Sequence, residues 1–357
     1  MKRLLNLSLC FICLLSLAVS HAQERIDGQL LPKLALNIPA GDIIERDYVT
    51  SGIVVEALKP DLQMVKDCFA PNGVLIDEDS RQALEGFEFD GAYYTAKYDD
   101  GVHMLVRDNQ IYYNTHTGRC VTQTIALAGT SMLNDEASNG AGLSFKSARD
   151  VEMQAREILE KLSISGDIAL TGCYAIDGRT LQSVTSEIIR DSDIRSDIRD
   201  GYIEIKLDWN ENDDFYYLTF SQVFDGIPLD KDGFTSIRQD YYIEPSGIVM
   251  IISENGLECI KADGLVKQTG EKGEQKPLIG YEKALELLKA KYKRILKKDM
   301  RYVNGMHLCF VPAPVKGTPT LRKLVPIWYI RVCPEPDWPW EDSTRWTAFN
   351  AITGKEV

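Results

Sequence analysis

Positive charge is in short supply. The 357-residue chain carries 40 Lys and Arg against 53 Asp and Glu, a formal charge of −13. Nucleic-acid binding needs a basic surface to neutralise phosphates, so that class is excluded. Adhesion to anionic lipid is disfavoured for the same reason. Histidine is scarcer still, with four residues in all. Beyond the first 22 positions these are His103, His116 and His307, each expected in a strand or at a strand end. G-x-S-x-G, H-E-x-x-H and G-x-x-x-x-G-K-[ST] are all missing, which removes the common signatures of serine hydrolases, zinc peptidases and P-loop enzymes. Carboxylates are plentiful, but no pair stands out as an acid and a base. The sequence therefore predicts a protein that is not an enzyme and needs no cofactor. No long apolar run follows residue 22, so the rest of the chain has no membrane insertion signal.

Apolar residues make up 44% of the chain and charged residues 26%, enough apolar content to build cores and to exclude wholesale disorder. Residues 1–22 combine basic Lys2 and Arg3, an apolar run to about Val19, and Ser20-His21-Ala22 as a small-residue cleavage site. This predicts a cleavable signal peptide and a secreted or extracytoplasmic location, with an N-terminal membrane anchor as the alternative. Cys10 and Cys13 fall inside that run. The remaining cysteines are Cys68, Cys120, Cys173, Cys259, Cys309 and Cys333. Their wide spacing fits no zinc site. They read as buried thiols with at most an incidental disulfide, or as one disulfide per module.

Two polar, glycine-bearing stretches, 134–142 and 270–277, read as linkers. They divide the chain after the leader into modules 23–133, 145–268 and 278–357. Each has one helix candidate. In the first, Pro60 precedes Leu62, Val65 and Phe69. In the second, Ala148, Val151, Ala155, Ile158, Leu159 and Leu162 share a helical face behind a Ser147/Asp150 capping pair. In the third, Leu285, Leu288, Tyr292, Ile295 and Leu296 share one. Strands follow, notably 216–224, with Tyr216, Leu218, Phe220 and Phe224 on one face. The run 324–332 is apolar on nearly both faces, with Pro326 suggesting an edge or bulge. The expected fold class is α+β: tandem modules of a helix packed on an antiparallel sheet. All three modules also place an aromatic residue five positions before a glycine: Tyr113 and Gly118, Tyr242 and Gly247, Phe349 and Gly354. Either these are diverged duplicates, each a strand entering a tight turn, or aromatic strands happen to end in glycine.

The third module runs from a helix opening with Tyr281-Glu282-Lys283-Ala284, through Tyr302, His307-Leu308-Cys309-Phe310-Val311-Pro312 and Leu324-Val325-Pro326-Ile327-Trp328-Tyr329, to Phe349-Asn350-Ala351-Ile352-Thr353-Gly354. The middle module carries Phe224-Asp225-Gly226-Ile227-Pro228-Leu229. This order is similar to PepSY-like domains, especially the YycI-type regulators of Gram-positive bacteria. The resemblance is good over 280–357, fair over 215–250 and poor before 145. It implies non-catalytic domains that bind and restrain another extracytoplasmic protein, such as a peptidase or a sensor ectodomain. It supplies no catalytic residues.

Tryptophan gives the sharpest site candidate. Trp328 and Trp346 are expected in strands and in the core. Trp338 and Trp340 lie in a proline-stiffened loop, 334–342, flanked by Asp337 and Glu341. Rings held out on a stiff loop make protein hot spots or sugar-stacking platforms, so these four residues are the expected partner-binding set. A carbohydrate or cell-wall binding module is the second functional reading, and a secreted hydrolase with an unrecognised site the third. Three further features have bland readings. Residues 208–214 offer alternating oxygens like part of an EF-hand but read better as a polar turn between strands 201–207 and 215–224. Ser192-Asp193-Ile194-Arg195 and its repeat at 196–199 read as a solvated helix with Asp–Arg ion pairs. Helix 283–298 is basic, with Lys289, Lys291, Lys293, Arg294, Lys297 and Lys298 suiting its C-terminal dipole or an acidic partner.

Overall fold

The structure is a computed structural model that describes residues 25–39, 49–69, 71–81, 93–128, 132–133, 142–164, 166–210, 212–230, 247–270, 273–295, 299–336 and 345–357. Its architecture is α+β, with helices on predominantly antiparallel sheets. The chain forms two compact units, each assembled from separated segments. Among the described residues, one contains those up to 50 together with those of 276–309 and 326–357. The other contains the described residues of 51–275 and 310–325. The linker reading, by contrast, divides the chain consecutively.

In the first unit, β1 (Arg25–Leu31) pairs antiparallel with β2 (Leu34–Pro39). β2 in turn runs parallel to the start of β16 (Arg301–Val315), with Leu34 opposite Arg301. β17 (Thr318–Cys333) pairs through Ile327–Val332 with β18 (Arg345–Asn350). Helix α6 (Tyr281–Ile295) buries Ala284, Leu285, Leu288 and Tyr292, largely the face read from the sequence, while Ile295 is exposed. Trp328 is core, as its strand position implied, and donates its indole N–H to the Ile279 carbonyl at 2.8 Å. β17 lies between β16 and β18, so Pro326 is not on the edge strand its sequence suggested; it stands just before the stretch paired with β18, and its carbonyl accepts the Ala351 amide at 2.8 Å. The Asn350 side chain accepts the amides of Ile352 and Thr353, both at 2.9 Å, and Gly354 takes φ +67°. The Asn-Ala-x-Thr-Gly sequence is thus an Asx-type turn closed by a left-handed glycine.

The second unit is built on a nine-stranded sheet in the order β9-β10-β12-β13-β8-β7-β6-β5, with β11 (Ile227–Pro228) folded back on the end of β10. The strands are β5 (Leu75–Arg81), β6 (Tyr93–Tyr98), β7 (His103–Arg107), β8 (Gln110–Asn114), β9 (Asp167–Ile176), β10 (Phe215–Phe224), β12 (Gly247–Ser253) and β13 (Gly256–Asp263). One face carries α1 (Leu62–Phe69) and α3 (Ala148–Lys161). There Val65, Val151, Ala155 and Leu159 meet Tyr216, Leu218, Phe220, Ile248 and Ile260. The Ser147 hydroxyl caps α3 by accepting the Asp150 amide, as its sequence suggested. The opposite face carries α2 (His116–Ala128) and α4 (Gly178–Ile188), whose Cys120, Val121, Ile125 and Leu181 pack with Trp209, Phe215, Ile251 and Cys259. Away from this sheet, β4 (Val54–Ala57) pairs on one side with β14 (Val266–Gln268) and on the other with residues 321–323 of β17. The short β3 (Val49–Thr50) and β15 (Lys276–Pro277) pair within the first unit.

Three expectations change. Gly118 does not end a strand in a tight turn; it sits in the first turn of α2, which begins at His116. A Cβ there would collide with the Glu258 carbonyl and the Asn114 side-chain oxygen, so glycine is required by close approach. Gly247 opens β12, and the rest of its motif lies outside the described residues. Only Gly354 of the three has the left-handed geometry that a shared turn would need. Residues 201–207 are not a strand; they follow α5 (Ser192–Arg199), a capped helix in which Arg199 forms its ion pair with the adjacent Asp200 and donates to the Ser196 hydroxyl one turn back.

Gly118→Ala should therefore lower stability by about 1–3 kcal/mol, the range for forcing a group into a filled site. Gly280→Ala, where an added methyl meets nothing within 4 Å, should cost less, about 0.5–1 kcal/mol, because Gly280 is the N-cap of α6 and alanine caps poorly. Urea titration of the two variants checks both.

Candidate functional site

Helix α2 is the element on which the site depends. Its cap is Thr115, whose hydroxyl accepts the Gly118 amide at 3.0 Å. The same hydroxyl donates to the Glu258 carboxylate, and the Thr115 amide donates to the Glu258 carbonyl at 2.8 Å. Glu258 is buried, and its other carboxylate oxygen accepts the Ser253 hydroxyl at 2.7 Å. The start of α2 is thereby fixed to β13. Further along, α2 and the sheet leave an open cleft of about 430 Å³ between them. Thr122, Ile125 and Ala126 form its helical wall; Tyr112, Tyr217, Val249, Cys259 and Lys261 form its floor.

Strand register explains that floor. Thr219, Val249, Lys261 and Tyr112 lie opposite one another across β10, β12, β13 and β8. Tyr217, Ile251, Cys259 and Asn114 form the neighbouring row on the same face. Hydroxyls and an ammonium therefore share the floor with apolar atoms. The Tyr112 hydroxyl accepts the Asn114 amide nitrogen at 2.6 Å, leaving its own proton to donate. Burial raises the Tyr217 phenol, with Cys259 and Tyr174 adding to the effect, so this group is a neutral donor near pH 7. Burial pushes the Cys259 thiol up to about 12, which keeps it protonated.

A second constellation stands at the start of α2. Cys120 Sγ and His116 Nε2 are 3.9 Å apart, one helical turn along. His116 Nδ1 lies 2.9 Å from Glu204, whose second oxygen accepts Arg119 Nε at 3.0 Å. Thiol, imidazole and carboxylate follow the order of a nucleophilic relay. The thiol is nevertheless poorly suited to attack. Cys120 is only 2% exposed, packed with Val121 and Ile125, and burial raises its pKa. Sequence reading placed His116 at a strand end and missed this arrangement. Its signal was Thr115 as a helix cap, with His116 and Cys120 at i, i+4.

The other candidates fall as follows. Asp337, Trp338, Trp340 and Glu341 lie outside the described residues. At the base of their loop, the Pro336 carbonyl accepts the side-chain amides of Asn37 at 3.1 Å and Asn304 at 3.3 Å. Trp346, expected in the core with Trp328, is only half-buried, its ring 5.0 Å from Tyr329 and 6.2 Å from His307. His103 is in β7 and His307 in β16; burial, with Arg119 nearby, lowers the His103 pKa. The acidic turn is satisfied internally: Asp213 pairs with Lys206 at 2.6 Å and accepts the Asn210 amide, while Asp214 accepts the Gly178 amide. The cysteines are thiols, with Cys120, Cys259, Cys309 and Cys333 buried and Cys68 and Cys173 half-buried. The reading of one disulfide per module is therefore replaced by its alternative, buried thiols. No helix among the described residues is long and apolar enough to cross a membrane.

The architecture has a counterpart in the crystal structure of an uncharacterised protein from Eubacterium rectale. The TM-score is 0.64 and the identity 17%, over 95% of this chain and 94% of that one. The two chains share a fold. No protein-family model matches the sequence, and no curated protein matches it.

Two measurements check the site chemistry. Cys120 and Cys259 should resist alkylation at pH 8 in the native protein and react only on unfolding. Rapid labelling of Cys120 would restore the relay as an active centre. Arg119 holds Glu204 below the usual carboxylate range, with His116 adding to the effect. Its contribution to stability is present above about pH 4.5 and fades as pH falls through its lowered pKa. Since its side chain is 47% exposed, that contribution is on the order of 0.5 kcal/mol. Glu204→Gln should lose that amount at pH 7 and converge on the parent in acid.

Proposed function

We propose that this is an exported, non-catalytic binding protein of PepSY-like modules that restrains or regulates another extracytoplasmic protein. The observation that carries the reading is strand β5. It is the terminal strand of the nine-stranded sheet among the described residues, paired with β6 alone. Val74, just before it, is 70% exposed, and Leu75 and Ile76 are 43% and 67% exposed. Apolar side chains in succession at a sheet edge are a liability that soluble proteins normally blunt, and an edge is a template for an added strand. The register shift between Leu75 and Asp77 gives this edge a bulge at Ile76. Beyond the bulge come Asp77, Glu78 and Asp79, which favour a basic partner segment. A partner strand would gain main-chain hydrogen bonds along β5 and cover the three apolar side chains.

The order of elements supports the PepSY-like part of the reading. A helix precedes a run of strands three times: α1 before β5–β8, α3 before β9, β10, β12 and β13, with α4 and α5 inserted after β9, and α6 before β16–β18. The leader-like residues 1–22 support export. The buried Cys120 thiol weighs against the hydrolase reading.

The test is a photocross-linking residue at Ser80 in the chain starting at Gln23, applied to intact envelopes of producing cells. One protein should be captured, with capture reduced at least about tenfold in Val74→Lys/Ile76→Lys, whose charges oppose strand addition. Capture unaffected by those lysines would refute the edge as the interface. Capture lost instead in Trp338→Ala/Trp340→Ala would move the interface to the 334–342 loop. Recovery of wall polysaccharide without protein would favour the carbohydrate-binding reading.

A further inference from the structure

The cleft under α2 has a composition that the edge-binding reading does not use. Its helical wall is apolar at Ile125 and Ala126, and Val249 continues that surface across the sheet. Three of its polar groups can donate hydrogen bonds; the Thr122 hydroxyl spends its proton on the Gly118 carbonyl at 2.8 Å and offers only lone pairs. The Tyr112 hydroxyl has its proton free once its oxygen has accepted from Asn114. The Tyr217 ring lies 6.3 Å from Tyr174, and no described residue hydrogen-bonds its hydroxyl. Lys261 has a 57% exposed side chain and a loose ion pair, 3.4 Å to Asp263. No carboxylate lines the cleft, although the chain carries a net charge of −13. A site with three donors, one of them cationic, and an apolar wall favours an anionic guest, because a carboxylate or sulfonate forms charge-assisted hydrogen bonds that a neutral guest cannot. The volume of about 430 Å³ falls in the range of small-molecule sites and is too small for a folded partner.

We propose that this cleft binds a small organic anion with an apolar body. Lys261 and the hydroxyls of Tyr112 and Tyr217 take its carboxylate or sulfonate, and Ile125, Ala126 and Val249 hold its body. The Thr115–Glu258 link fixes the start of α2 to β13, the strand that carries Lys261, so helix and sheet are joined without a guest present. Such preorganisation lowers the ordering cost of binding.

The test uses two fluorescent probes of similar shape, the anion anilinonaphthalenesulfonate and the neutral phenylnaphthylamine, on the native protein. The anion should bind saturably at one site and at least about tenfold more tightly than the neutral probe, the ratio expected for a charge-assisted hydrogen bond. Lys261→Met should erase that preference by weakening the anion alone. Tyr217→Phe should weaken the anion severalfold. Ala126→Trp, at an exposed helix position, should fill the cleft and abolish both, with an unchanged circular dichroism spectrum showing that the fold is kept. An aliphatic or aromatic carboxylate should displace the anion. Saturable binding that survives Ala126→Trp would place the probe elsewhere and overturn the proposal. Equal affinity for both probes, or no saturable binding, would overturn it as well.

Discussion

The pairing of β13 with β8 is the contact on which the larger unit depends. Cys259, Ile260, Lys261 and Ala262 lie opposite Asn114, Tyr113, Tyr112 and Ile111. These four steps join two antiparallel meanders, more than a hundred residues apart in sequence, into one sheet. They also sort the side chains. Ile260, Ala262, Ile111 and Tyr113 enter the core beneath α1 and α3, while Cys259 faces the core beneath α2 and α4. Side chains alternate strictly along a strand, so a one-residue slip would exchange the two cores. The bonds from Thr115 to Glu258 stand at one end of this seam. They fix the register and the start of α2 together, so the cleft wall and the sheet seam share one anchor.

The fold was legible in the sequence where periodicity stood alone. Helices α1, α3 and α6 each present a clean apolar face, and β10 sends Tyr216, Leu218 and Phe220 into one core. Legibility failed where tertiary contact overrode a local signal. Gly118 looks like a turn glycine because glycine is the usual means of reaching positive φ. Here it serves instead to admit the Glu258 backbone, a neighbour 140 positions away that no local pattern reveals. Helix α4 was missed because its apolar positions, Leu181, Thr185 and Ile188, include a threonine. That threonine is buried because it accepts the Trp209 indole N–H at 2.9 Å, again a long-range bond.

The candidate sites were less legible than the fold. Tryptophan spacing drew attention to residues 338 and 340, whereas the cleft is assembled from five elements that contribute one to three residues each. None of those residues is unusual by itself. Tyr112 and Tyr217 read as ordinary strand aromatics, and Lys261 as a solvated lysine. Their meaning comes from cross-strand register, which is fixed only once β8 meets β13. The exposed apolar residues at β5 were visible in the sequence, but the position of that strand at the end of the sheet was not.

The placement of β4 has a consequence for how the chain must be made. Val54–Ala57 is held between residues 266–268 on one side and 321–323 on the other. A growing or translocating chain presents β4 some 200 residues before its first partner and about 270 before its second. Until then its backbone amides and carbonyls have no ladder to join, and Val55, fully buried in the finished unit, stays in solvent. Closing loops of that length is slow, and an open strand is prone to mispairing during the wait. Such a chain gains from a chaperone, or from passage across a membrane in an unfolded state, until residue 323 has emerged.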